Sequence, residues 1–391
     1  MMSSFFTRRG RRFSGLAQLD WVLITSAFLL SVIGAFLVWS ATRQSFIDQG
    51  LNSATYFWKQ LVNIVIGVGL GFILSRFDHR MLRAYTPIIY GLSLVGLLAV
   101  LSPLGVTVHG AQNWIALGSG FTVQPSEFTK VALVTAMAFL LADKGHSGDT
   151  ESKPTDREIL FVLGVVAVPV LLILLEPDLG TVIIIGVTSV SVVAISGASR
   201  KWVLGMIAAV VSAGALAISP LSPLKDYQLA RITCFVNPSA GVRDTCFQQI
   251  QSRIAVGAGG ITGQGLFHGQ QTQGRFVSFN YTDSVISVAG EELGLIGCLL
   301  ILALLTAVMW RGLVIARRAP DLFSRLVAVG VVCWFAFQSF ENIGMNLGIM
   351  PITGVPLPFM SYGGSSMFAC WLGIGLLVNV HGATRASILR A

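Results

Sequence analysis

The chain has 391 residues, of which 54% are hydrophobic and 11% charged, with a formal net charge of +8 and a mean hydropathy of +0.75. Lipid rather than water is the solvent for most of such a sequence, which excludes an ordinary soluble enzyme. The basic excess lies mainly beside apolar runs, where it sets membrane orientation, so it argues for topology and against nucleic-acid binding.

In chain order, Arg8, Arg9, Arg11 and Arg12 precede a first long apolar run with no small-residue cleavage site, which predicts a retained signal anchor. The apolar runs 21–41, 57–75, 85–102, 127–142, 159–175, 180–197, 202–219, 284–310, 325–345 and 363–381 predict an all-α polytopic membrane protein of about ten spans. A large extracytoplasmic loop, 220–282, separates the seventh from the eighth. Residues 1–20 and 386–391 are expected as cytoplasmic tails around a single membrane domain, 21–385. Most of the 26 basic residues then flank the inner ends of the spans, among them Arg76, Arg80, Arg200, Lys201, Arg311, Arg318 and Arg385, so both termini are expected inside.

The unusual residues fall on the outer face. Segment 103–126 carries Trp114. Glu127 and Lys130, three apart at the start of a span, share a helix face and suit either a structural ion pair or a role in catalysis. Glu176 and Asp178 flank Pro177 between two spans, where Asp178 is placed to cap the next helix. The long loop is rich in glutamine and contains Arg231 and Arg253. Amides and guanidinium groups suit sugars and phosphates, and a merely solvated loop fits the same composition. Its glycines, including Gly257, Gly259, Gly260, Gly263 and Gly265, provide bare backbone for a ligand or for sharp turns, but they spell no nucleotide motif. Asp283 stands at the mouth of the eighth span, where a carboxylate is costly unless used, and is the leading candidate for chemistry. Glu291 and Glu292 must face the bundle interior or a wet cavity; Glu341, Asn342 and Asn346 suit hydrogen bonds between helices. No His/Cys cluster has metal-ligand spacing. Cys234 and Cys246 share the outer loop, where thiols oxidise, and a disulfide between them is expected, against the alternative of two free thiols.

Several runs together resemble one family: His109 to Gly118 followed by Gln124-Pro125-Ser126-Glu127-Phe128-Thr129-Lys130; Glu176-Pro177-Asp178-Leu179-Gly180-Thr181; Gln251-Ser252-Arg253-Ile254-Ala255-Val256-Gly257; Thr282-Asp283 with Gly290-Glu291-Glu292-Leu293-Gly294; and Pro351 to Ser366. In this order they are similar to the SEDS proteins (shape, elongation, division and sporulation) over about residues 20–385, and Gly354 to Pro358 is nearer the elongation than the division branch. The resemblance implies a multi-pass protein of the bacterial cytoplasmic membrane that polymerises peptidoglycan from lipid II at the outer face. It implies Asp283 as the catalytic base, and Trp114, Glu127, Lys130 and the signature residues Ser361, Gly363 and Ser365 on the substrate side, beside Arg231 and Arg253 from the loop. A class B penicillin-binding protein is the implied partner, and a divalent cation, Mg or Mn, would suit the pyrophosphate. Two positions depart from the family pattern, with Tyr281 where a histidine is usual and Asn113 where an arginine is. The rival reading is a transporter or lipid II flippase with Glu291, Glu292 and Glu341 as a relay, which would need polar groups through both leaflets.

Overall fold

The computed structural model describes residues 19–108, 111–118, 121–142, 153–218, 226–236, 243–277 and 279–388; most of the expected N-terminal tail and half of the C-terminal one lie outside these. The apolar runs fold as helices. They are α1 (Trp21–Asp48), α2 (Thr55–Arg76), α3 (His79–Leu101), α4 (Pro125–Ala142), α5 (Asp156–Leu175), α6 (Leu179–Ile195) and α7 (Arg200–Ile218), then α8 (Asp226–Val236), α9 (Arg243–Ala258) and α10 (Gln270–Gln273), and finally α11 (Val285–Arg317), α12 (Leu322–Leu347) and α13 (Gly364–Ile388). Among the described residues, α1 to α5 and α11 to α13 are long and apolar enough to cross a membrane, and α6 is a shorter apolar helix. Helix α7 lies where the seventh span is expected.

Aspartates start several helices by accepting the orphan N–H groups of the first turn: Asp20 takes Leu23 N, Asp178 takes Thr181 N and Asp321 takes Ser324 N. Thr155 and Glu158 close a capping box on α5. Helices α4, α12 and α13 form the interior, with 78%, 72% and 78% of their apolar windows buried, whereas α2, α3, α5 and α11 bury only 22–28% and present leucine and phenylalanine outward. Helix α13 packs closely on α2, where a Cβ on Gly71 would meet the Trp371 carbonyl at 2.5 Å. Small residues at such crossings let transmembrane backbones touch.

Two features are not visible as apolar runs. Residues Gly105–Val108, Ala111–Gly118 and Phe121–Val123 form an antiparallel sheet, β1-β2-β3, between α3 and α4. Among its described residues the long loop carries the helices α8, α9 and α10, with α9 packed on α11 and α12. Helix α11 is broken at Gly294 (φ 67°, ψ −164°), and its freed backbone groups are taken up by the glycine segment of the loop. Leu295 N donates to Gly260 O at 3.0 Å and Gln264 N to Glu291 O at 2.9 Å. A Cβ on Gly263 would collide with the α11 backbone at Glu292, and one on Gly294 with the loop backbone at Ile261 to Gly263, so loop and helix touch backbone to backbone.

Candidate functional site

A tight turn presents Asp283. The carbonyl of Phe279, at φ 53°, accepts from the amides of Thr282, Asp283 and Ser284, each at 3.1 Å. A non-glycine residue held in this region is strained, and such residues cluster at functional sites. The Asp283 carbonyl is gripped from α12: Asn342 Nδ2 donates to it at 2.8 Å and Asn346 Nδ2 at 2.9 Å. The carboxyl group is left at the half-buried edge beside Gly354, whose backbone (φ 77°) passes close enough that an added Cβ would lie 3.4 Å from Oδ2. Burial pushes the Asp283 carboxyl up to about 7. The Thr282 hydroxyl and the Arg231 guanidinium, reaching over from α8, pull it down, and Asp178 pushes it up.

The proline-rich segment 350–362 links this turn to the bundle interior. Asn342 Nδ2 also donates to Val355 O at 2.6 Å, and Gln338 Nε2 to Pro356 O at 2.8 Å. Gln338 Oε1 in turn accepts from Lys130 Nζ at 2.8 Å, and Lys130 pairs with Glu127 at 2.9 Å. Both members of that pair are buried, and Lys130 also lies over the Trp334 ring at 5.1 Å. Their route to the site is therefore through Gln338 and the turn rather than by direct contact.

Ser361 Oγ accepts Leu357 N at 2.8 Å, closing the turn, while Ser365 Oγ accepts Gln124 N at 2.8 Å. Gly363 O accepts Met367 N at 3.0 Å in the first turn of α13. Gln124 also donates to Asp178 at 3.2 Å, which ties the start of α4 to the cap of α6. Beside it Glu176 is fully buried with neither oxygen bonded; burial and then the Asp178 charge push it up to about 8, so it is neutral at physiological pH. Arg253 lies instead against Gly348 at the C-terminus of α12, where a cation suits the helix dipole. Trp114 sits half-buried in β2 opposite Val106, with the sheet rather than with Asp283. Tyr281, at the family's histidine position, packs against Tyr56 and Tyr362 with centroids 5.3 and 5.9 Å apart.

Cys234 and Cys246 are joined, Cα to Cα 5.2 Å, so α8 with Arg231 is tied to α9. The remaining carboxylates near the loop are committed to architecture. Glu291 accepts Gln271 N, Thr272 N and the Thr272 hydroxyl at 2.6, 2.9 and 2.6 Å, and Glu292 accepts the Ser40 hydroxyl at 2.6 Å. Among the described residues no three His, Cys, Asp or Glu side chains gather as a metal site.

Residues 20–386 match the family FTSW_RODA_SPOVE, described as "Cell cycle protein". The chain belongs to this family. The FtsW/RodA/SpoVE relatives include the peptidoglycan glycosyltransferase MrdB of Escherichia coli (strain K12), 33% identical over 93% of this chain and 94% of the relative. Stage V sporulation protein E of Bacillus subtilis (strain 168) is 35% identical over 94% and 98%. Among solved structures, the rod shape determining protein RodA of Thermus thermophilus matches with TM-score 0.66 and 27% identity over 93% of this chain and 97% of that one. A chain of a peptidoglycan synthase complex, solved to show how polymerization and crosslinking are coordinated, matches with TM-score 0.75 and 28% identity over 95% and 99%.

Proposed function

We propose that this chain, a peptidoglycan glycosyltransferase by family, polymerises lipid II at the outer face of the bacterial cytoplasmic membrane with Asp283 as its general base. The observation that carries the reading is the Asp283 turn: α12 holds the backbone through its carbonyl and leaves the carboxylate, touched by the Thr282 hydroxyl, beside Gly354 and Arg231. In the reaction the ionised carboxylate takes the proton from the acceptor sugar hydroxyl as that oxygen bonds to the donor's anomeric carbon, and the carbon–oxygen bond to the lipid pyrophosphate breaks with inversion. A base whose pKa lies near 7 is matched to this task at neutral pH, and such help contributes about 10²- to 10⁴-fold. Arg231, whose charge acts on Asp283, would meet the negative charge of the leaving pyrophosphate.

A Mg or Mn ion would be held by the substrate's phosphates and would offset the negative charge of the leaving pyrophosphate, while the Asp283 carboxylate stays available as the base. The Asp178 oxygens are already taken by Thr181 and Gln124. The transporter reading has less support, because Glu291 and Glu292 hold the loop in place.

The test is incubation of purified protein with lipid II. Asp283→Asn preserves size and hydrogen bonding but removes the base, and is expected to yield a folded protein that makes no glycan polymer. Polymerisation at the wild-type rate by this variant would refute the assignment.

A further inference from the structure

At the opposite end of α11 from Asp283, where α1 begins and α13 ends, there is a cavity of about 330 Å³ lined by Asp20, Trp21, Arg311, Arg318, His381 and Arg385. This volume lies within the range of small-ligand sites. Arg311 is occupied: it grips Asp20 with three contacts of 2.6 to 3.1 Å. Arg318 and Arg385 are exposed at the rim, and no carboxylate pairs with either among the described residues. His381 Nε2 is buried and has no hydrogen-bond partner. One carboxylate thus faces three guanidinium groups, and an imidazole nitrogen is left unsatisfied. Trp21 is 49% exposed at the same level, as tryptophans are where a bundle meets lipid headgroups.

We propose that this cavity binds a phosphate-bearing anion, supplied either by the headgroup of an anionic phospholipid or by a free phosphate compound. Arg318 and Arg385 would take the phosphate oxygens in paired hydrogen bonds, and His381, in its Nε2–H tautomer, would donate the bond that it otherwise lacks. Basic pockets between transmembrane helices suit such headgroups.

The experiment uses the purified full chain, delipidated in uncharged detergent, and titrates it with phosphatidylglycerol, phosphatidylcholine and inorganic phosphate while following bound lipid by native mass spectrometry and melting temperature. Phosphatidylglycerol is expected to be retained over phosphatidylcholine, and Arg318→Gln with Arg385→Gln to weaken it about thirtyfold, since each basic residue near an anionic surface contributes about fivefold. If inorganic phosphate alone raises the wild-type melting temperature, and not that of the double variant, the source is a soluble phosphate. Equal affinity of the double variant for phosphatidylglycerol, or no preference for either anion, overturns the proposal. Should the glutamine pair fail to fold, competition in the wild type decides: glycerol phosphate displaces phosphatidylglycerol if the site is as described, and failure to displace it overturns the proposal.

Discussion

Asn342 and Asn346 hold Asp283 by its carbonyl, not its carboxylate, and this decides what the side chain can do. The carboxyl is kept near 7 chiefly by burial, so polymerisation by the wild type should rise with pH, half-maximal near 7, and a rate profile flat from pH 5 to 8 would contradict it. The same shift has a stability sign. A carboxyl with a raised folded-state pKa binds a proton more tightly when folded, so its contribution falls as pH rises from the ordinary carboxylate range through about 7. Asp283→Asn is therefore expected to melt above the wild type at pH 8, with the gap narrowing toward pH 5, as read by thermal denaturation across pH. Lys130 gives a contrasting test, because it and Glu127 are both buried. Lys130→Met strands the Glu127 charge and should cost about 3 kcal/mol or more, whereas Lys130→Met with Glu127→Leu should recover much of it; equal loss in both variants would show that the pair is not the cause. Asp283, Glu127 and Lys130 stood out in the sequence because a carboxylate at or inside a span is costly and Lys130 lies one helical turn from Glu127. Gln338 was not, since one amide in an apolar span carries no signal alone; its spacing of four from Asn342, and of Asn342 from Asn346, places all three on one face of α12.

At the scale of elements, the apolar runs announced the long helices, and aspartates marked where several begin. The sheet β1-β2-β3 was masked by the surrounding hydropathy, although its cues are local: Val106, Thr107 and Val108 are β-branched, and His109-Gly110 and Ser119-Gly120 separate the strands. Helices α8 to α10 were hidden for the opposite reason: their polar composition suits a loop, and they are helical where α9 packs on α11 and α12, α8 on α9, and α10 on α1 and α9. The Cys234–Cys246 link ties α8 to this packed layer and so restrains Arg231 opposite Asp283. Replacing both cysteines by serine is expected to cost up to about 3 kcal/mol of stability in the chain-entropy model and to raise KM for lipid II more than it lowers kcat. Initial-rate kinetics with and without reductant check this, and an unchanged KM after reduction would sever the link between the bridge and the site.

For the whole molecule, no segment among the described residues resembles a soluble crosslinking domain, and the structure is similar to a chain from a synthase complex in which polymerization and crosslinking are coordinated. Copurification from native bacterial membranes is expected to bring down a membrane-anchored class B penicillin-binding protein; consistent recovery of the chain alone at full activity would argue against this. The interior position of α4, α12 and α13 has a consequence for biogenesis. These three are the least apolar of the spanning helices, and α1, α5 and α11 the most apolar. The helices least able to rest against lipid are those that the finished bundle shields from it. Helix α4 leaves the ribosome long before α12 and α13, so its Glu127 and Lys130 must wait in the membrane for Gln338 to arrive, and insertion of this protein is not complete until its last helices are made.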